Sequence, residues 1–95
     1  MPIFTFPDDA SWNEASRAVE FGIEVGEYQG RVFVPRQIFQ ALLPTSPLPE
    51  LCIEAYHLDR ARFERAAERK VMQRQLTEDG NIELTLKDLH EAAGR

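Results

Sequence analysis

The chain offers little that titrates near neutral pH or binds soft metals: one thiol, Cys52, and two imidazoles, His57 and His90. Cys52 and His57 are the only thiol–imidazole pair close in sequence. On a helix, five residues separate them by about 140° around the axis, so they cannot share a proton. Cys52 also falls on an apolar stripe, where a free cysteine packs as a small hydrophobe. Glu54 and His57 form a Glu-x-x-His on one helix face, with Glu50 one turn earlier. Metal sites of that kind require a second copy of the motif and further carboxylates. A solvated helix face is the ordinary reading of so short a motif. No catalytic residue, metal ligand or cofactor is assigned from these groups.

Asp59 is more unusual. It interrupts the stripe between Tyr56 and Phe63, where an apolar residue is expected. A carboxylate there must reach water or find a partner, and Arg17 or the backbone amides of the sheet are candidates. A structural ion pair is the simple reading, and a ligand contact the sharper one. Around it lie six cations: Arg60, Arg62, Arg65, Arg69, Lys70 and Arg74. They point to several faces, alternate with Asp59, Glu64 and Glu68, and include no aromatic platform except Phe63, which belongs to the core stripe. That is a solvated helix more than a phosphate-binding stripe. Trp12, with Phe6, Asp8 and Arg17 nearby, either packs as a lid on the core or anchors a partner. The candidate interaction residues are therefore Asp8, Trp12, Arg17, Asp59, Arg60 and Glu64. An enzyme would need a pocket gathering Asp8, Arg17, Asp59, Arg60 and Glu64.

The elements that position these residues follow from periodicity. Ile3–Phe6 suits a brief edge strand before Pro7, and a turn runs through Trp12–Ser16. Ala18–Val25 alternates with period two, Val19, Phe21, Ile23 and Val25 on one face. Gly26 and Gly30 bracket a turn leading to a second run, Arg31–Val34, so the pair forms a β-hairpin with a loop longer than two residues. Pro35 opens a two-turn helix, Arg36–Leu43, burying Ile38, Phe39, Leu42 and Leu43. Pro44, Pro47 and Pro49 impose a rigid break. From Glu50 to Gln75 nothing breaks a helix, and Cys52, Tyr56, Phe63, Ala66, Ala67 and Val71 give one apolar stripe along a single long rod. On its polar face Arg60–Glu64 attract at i,i+4, while Glu64–Glu68 and Arg65–Arg69 repel. Glu78-Asp79-Gly80-Asn81 is a turn, and Ile82, Leu84 and Leu86 alternate as a last strand returning to an antiparallel sheet. Thr85 with Asp88 resembles a capping arrangement for a closing helix, Leu86–Ala93, which Gly94 would end. The expectation is an α+β fold: a small antiparallel sheet of N-terminal strand, hairpin and C-terminal strand, packed on one short and one long helix.

Ninety-five residues make one domain, 1–95, with a small core. The net charge of -5 argues against a nucleic-acid partner. It is uneven: residues 59–76 hold six cations against three anions, within an otherwise acidic chain. A single cysteine precludes an intrachain disulfide and suits a reducing compartment. No apolar run approaches a membrane span, and Met1–Phe6 lacks a signal-peptide pattern, so a cytoplasmic protein is expected.

The order Phe6-Pro7-Asp8, Trp12, Arg17-Ala18-Val19 and Phe21 resembles the opening of a small bacterial family known as domain of unknown function 1488. So do Tyr56, Arg60, Phe63-Glu64 and Ala67 in the long helix, and Ile82-Glu83-Leu84-Thr85 near the end. The chain departs from that pattern at Asn13, where an Asp is usual, at Pro35, near a Ser that opens the first helix, and at Asp59, where a His often precedes the Arg. The resemblance implies a compact α+β fold and carries no established activity. On the residues, the expected role is a non-enzymatic binding or regulatory accessory domain acting through protein contacts. A homodimer joined through Ile53, Leu58 and Met72 is part of that expectation. The alternative is nucleic-acid binding by the basic helix.

Overall fold

The computed structural model describes residues 3–93, so the expected end of the last helix at Gly94 lies outside the described residues. Period-two alternation builds the centre of the fold. Strand β3 (Ala18–Val25) and strand β4 (Tyr28–Pro35) pair antiparallel along their whole length, from Ala18↔Pro35 to Val25↔Tyr28. The turn between them has two residues, Gly26 and Glu27, rather than the longer loop expected. Gly26 takes φ +57 at the first loop position, where a tight hairpin turn demands a positive φ. Val19, Phe21, Ile23, Val32 and Val34 all point to one face and are sealed from solvent.

One edge of β3 is lined by an interrupted strand. Strand β1 (Phe4–Thr5) pairs with Val25 and Glu24, and strand β2 (Ser11–Asn13) pairs with Glu20, Val19 and Ala18. The turn expected at Trp12–Ser16 thus begins only after Asn13. Asn13 Oδ1 accepts the Ser16 N–H at 3.0 Å, which fixes the start of the loop. On the far edge, strand β5 (Ile82–Glu83) pairs with β4 in parallel, Val32↔Ile82 and Phe33↔Glu83. This corrects the all-antiparallel sheet. A parallel neighbour requires a crossover, and the helical stretch between β4 and β5 supplies it. Leu86 belongs to the closing helix, not to the strand.

Helix α1 (Arg36–Leu42) buries Ile38 and Phe39, while Leu42 turns outward and Leu43 is half-buried. Pro49 then sits at the first turn of helix α2 (Pro49–Leu58), the place where its missing N–H is not needed. The long rod does not form. It breaks at Asp59, with φ -128 and ψ 35, and helix α3 (Arg60–Met72) starts beyond it. There the Asp59 N–H is shared between the carbonyls of Ala55 and Tyr56, and the Arg62 N–H turns to Asp59 O at 3.0 Å. The cause is packing. Tyr56 and Phe63 are two turns apart and lie on either side of the break, yet their ring centroids approach to 5.6 Å. Bending wraps the stripe around Phe21, 4.8 Å from Tyr56, and Phe39, 5.8 Å from Phe63.

Helix α4 (Leu86–Ala93) starts with the expected cap. Asp88 accepts the Thr85 N–H at 2.8 Å, and Thr85 Oγ1 accepts the Asp88 N–H at 3.2 Å. Helices α2, α3 and α4 cover the apolar face of the sheet, with Cys52, Ala66, Ala67 and Leu89 buried between them. The result is α+β, with a mixed five-stranded sheet and four helices among the described residues.

Candidate functional site

Alternation that seals one face of the hairpin sends Ala18, Glu20, Gly22, Glu24, Gln29, Arg31 and Phe33 to the other. Ala18 at one end of that face and Gly22 are buried, while Phe33 is half-buried and Glu24 and Arg31 are partly open to solvent. The face is organised by Asp9. Between β1 and β2 the five residues 6–10 lie opposite only three on β3, 21–23, so the edge bulges. Asp9 sits in the bulge and accepts the Gly22 N–H at 3.0 Å, replacing the strand carbonyl that is missing there. Its other oxygen accepts from Arg31 Nη1 at 2.7 Å, and Arg31 Nε donates to Glu20 at 2.6 Å. Asn13 Nδ2 donates to the second Glu20 oxygen at 2.8 Å. The Arg31 guanidinium holds the Asp9 carboxyl below its ordinary value. Asn13, with Arg31 behind it, does the same for Glu20, against the opposing effect of burial. Gly22 is what admits the guanidinium: a Cβ there would stand 2.8 Å from Arg31 Nη1.

Phe33 occupies the middle of this face, half-buried, directly between Glu20 on β3 and Glu83 on β5. Phe33 lines the first of three shallow grooves, which the other two adjoin through Asn81 or through Pro35 and Glu83. The first, of about 350 Å³, has Ala18, Phe33 and Pro35 with Asp79, Asn81 and Glu83. A second of about 300 Å³ runs past Asp9, Gly22 and Arg31, and a third of about 370 Å³ lies at Arg17, Arg36 and Glu83. Glu20 is already engaged by Arg31 and Asn13, so a cationic side chain laid on the ring face would pair with Glu83.

The six residues singled out from sequence do not form one site. Asp8, Arg60 and Glu64 meet: Arg60 Nε donates to Glu64 at 2.6 Å and Nη1 to Asp8 at 3.3 Å. Arg60 also reaches Phe6 O at 3.5 Å, tying α3 to the edge bulge. Asp59 is exposed, and its partner is Arg62 at 3.5 Å, not Arg17 or a sheet amide. Arg17 lies just before β3, in a left-handed turn with φ 55, where its carbonyl accepts the Arg36 N–H. Trp12 packs half-buried against the core as a lid, with Nε1 donating to Glu14 at 2.8 Å. The pocket an enzyme would need from Asp8, Arg17, Asp59, Arg60 and Glu64 is therefore not assembled. Tyr56, beside Arg60, has its phenol pushed up to about 12, chiefly by burial.

A family model described as "Protein of unknown function (DUF1488)" matches residues 4–84 of this chain. The chain belongs to that family. Among solved structures, the chain is similar to the crystal structure of a protein of unknown function from the DUF1488 family of Shewanella loihica PV-4. The two are 16% identical, with a TM-score of 0.73, and the match covers 85% of this chain and 90% of the other. No curated protein matches. The matched span runs from β1 to Leu84, so it includes both the Asp9–Arg31–Glu20 network and the Phe33–Glu83 row.

Sequence reading missed Asp9, Arg31 and Phe33. The available signal was the polar set on the alternating strands, Glu20, Arg31 and Glu83, around one apolar Phe33. The basic helix, by contrast, is largely self-compensated. Arg60 pairs with Glu64, Arg62 with Asp59, Arg69 with Glu91 at 3.4 Å and Lys70 with Asp88 at 3.3 Å. Burial, then Glu64 one turn away, pushes the Glu68 carboxyl up, as the i,i+4 repulsion leads one to expect. Cys52 is core: its thiol donates to Pro47 O at 3.6 Å, and burial pushes it up. No helix among the described residues is long and apolar enough to cross a membrane.

Proposed function

We propose that this DUF1488 protein is a cytoplasmic, non-enzymatic binding or regulatory accessory domain, a single unit over residues 1–95, which acts through protein contacts made on the polar face of its sheet. The observation that carries this reading is the row Glu20–Phe33–Glu83: a half-buried aromatic beside the exposed carboxylate of Glu83, with Glu20 on its other side already paired to Arg31. The ligand suited to it is a protein segment presenting an Arg or Lys side chain. A homodimer belongs to the same reading, since Leu58 and Met72 are 82% and 61% exposed. Ile53 is partly spent on the core. Leu58 and Met72 flank the two ends of α3, roughly 20 Å apart, so they do not make one continuous stripe.

A photo-crosslinking amino acid placed at Phe33 in living cells tests the surface. A discrete protein adduct is expected there, weakened by Glu83→Lys, while the same probe at Arg65 on α3 gives none. Adducts only from Arg65, or adducts at Phe33 indifferent to Glu83→Lys, contradict it.

A further inference from the structure

The break at Asp59 stands against the local chemistry of its own segment. Between Pro49 and Gly80 there is neither glycine nor proline, and the residues flanking Asp59 are strong helix formers such as Ala, Leu, Arg and Glu. The Asp59 side chain makes no capping hydrogen bond to α3. Asp59 itself is a weak helix former, but with strong helix formers on both sides and no side-chain cap the bend rests chiefly on tertiary contacts. Those contacts join two parts of the chain on either side of one residue. Before it lie β1–β4, α1 and α2. After it lie α3, β5 and α4.

We propose that the homodimer forms by exchange at this hinge: α2 and α3 straighten into one rod, and residues 60–93 of each copy dock on the sheet of the other. The inference rests on the homodimer being real, as proposed above. Every contact between the two parts re-forms across the exchange. Phe63 again packs on Tyr56 and Phe39, Ile82 again pairs with Val32, Arg60 again reaches Asp8, and the Tyr28 hydroxyl again donates to Gly80 O. Closed and exchanged forms therefore differ mainly at the hinge and in the cost of association, the condition under which swapping occurs. In the exchanged form the two rods cross near the two-fold axis at Asp59. Leu58, 82% exposed in the closed form, then meets its own copy.

Two measurements test this. The first is light scattering on size-separated protein. Asp59→Ala, which favours the straight rod in both copies, lowers the dimer dissociation constant about tenfold, and Asp59→Gly raises it. The second uses a cysteine pair, Phe33→Cys with Glu83→Cys, on a Cys52→Ser background; these strand neighbours lie on opposite sides of the hinge. After oxidation, the dimer fraction gives a covalently linked dimer on a non-reducing gel, and the monomer fraction gives only intrachain bonds. A dimer whose disulfides are all intrachain overturns the exchange and leaves the homodimer standing. A strict monomer at high micromolar concentration, for both wild type and Asp59→Ala, overturns both. If the cysteine variant fails to fold, an Asp59 series with unchanged dimer affinity is by itself enough to reject the exchange.

Discussion

The two faces of the β3–β4 hairpin come from the same alternating residues and differ in almost every physical respect. On one face Val19, Phe21, Ile23, Val32 and Val34 are sealed beneath helices and make no polar contact through their side chains. On the other, Glu20, Arg31 and Asp9 form an ion-paired and hydrogen-bonded set, and Phe33 is left half-covered. Stability resides in the first, by removal of apolar surface from water. The second adds little stability, since partly exposed ion pairs contribute at most about 1 kcal/mol each. What it adds is position: two carboxylates and a guanidinium held in a fixed arrangement beside the ring.

Substitutions on the two faces should separate these roles. Phe21→Ala removes the ring that touches Phe6 and Tyr56 and should cost about 3–5 kcal/mol in urea unfolding. A cost below 1 kcal/mol would mean that the sealed face is not the core. Asp9→Ala comes next, because it orphans the buried Gly22 N–H; about 1–3 kcal/mol is expected. Asp9→Asn keeps an acceptor for that N–H and should cost less than Asp9→Ala, and equal losses would show that the charge matters more than the hydrogen bond. Gly22→Ala displaces the flexible Arg31 head, crowds Asp9 Oδ2 at 3.3 Å and should cost about 1 kcal/mol. Phe33→Ser should change stability least, by less than about 1 kcal/mol, while abolishing the protein adduct formed by a photo-crosslinking residue placed at Gln29 on the same face. A large loss of stability there would assign Phe33 to the core and remove it from the proposed surface.

How much of this was legible in the sequence depended on range. Ala18–Val25, the short helix after Pro35, the Thr85–Asp88 cap and the Arg60–Glu64 pair are all written in neighbours within a turn or a pleat, and each is found. The break at Asp59 is not, because its cause is the curvature of the core formed by Phe21, Phe39, Tyr56 and Phe63 from four separate elements. The parallel direction of β5 was hidden for a similar reason: a long helical connection permits either direction, and only packing decides. The hairpin loop was expected to be longer because Gly30 reads as a turn residue, yet it lies within β4. Asp9 was passed over because its partners, Gly22 and Arg31, lie 13 and 22 residues away. A bulged edge strand that lends a side-chain oxygen to a missing ladder bond has no local signature.

The most direct test of the organised polar face is a carboxyl NMR titration of Asp9 and Glu20. Both are expected to titrate below their ordinary values of 3.8 and 4.5, because Arg31 and Asn13 stabilise the ionised forms. Their contribution to stability is then complete above those ordinary values and lost as pH falls through the lowered ones. In Arg31→Met the Asp9 value should return towards the ordinary one, and the acid limb of the stability curve should flatten. Ordinary titration of both carboxyls in the wild type, unchanged in Arg31→Met, would contradict the account.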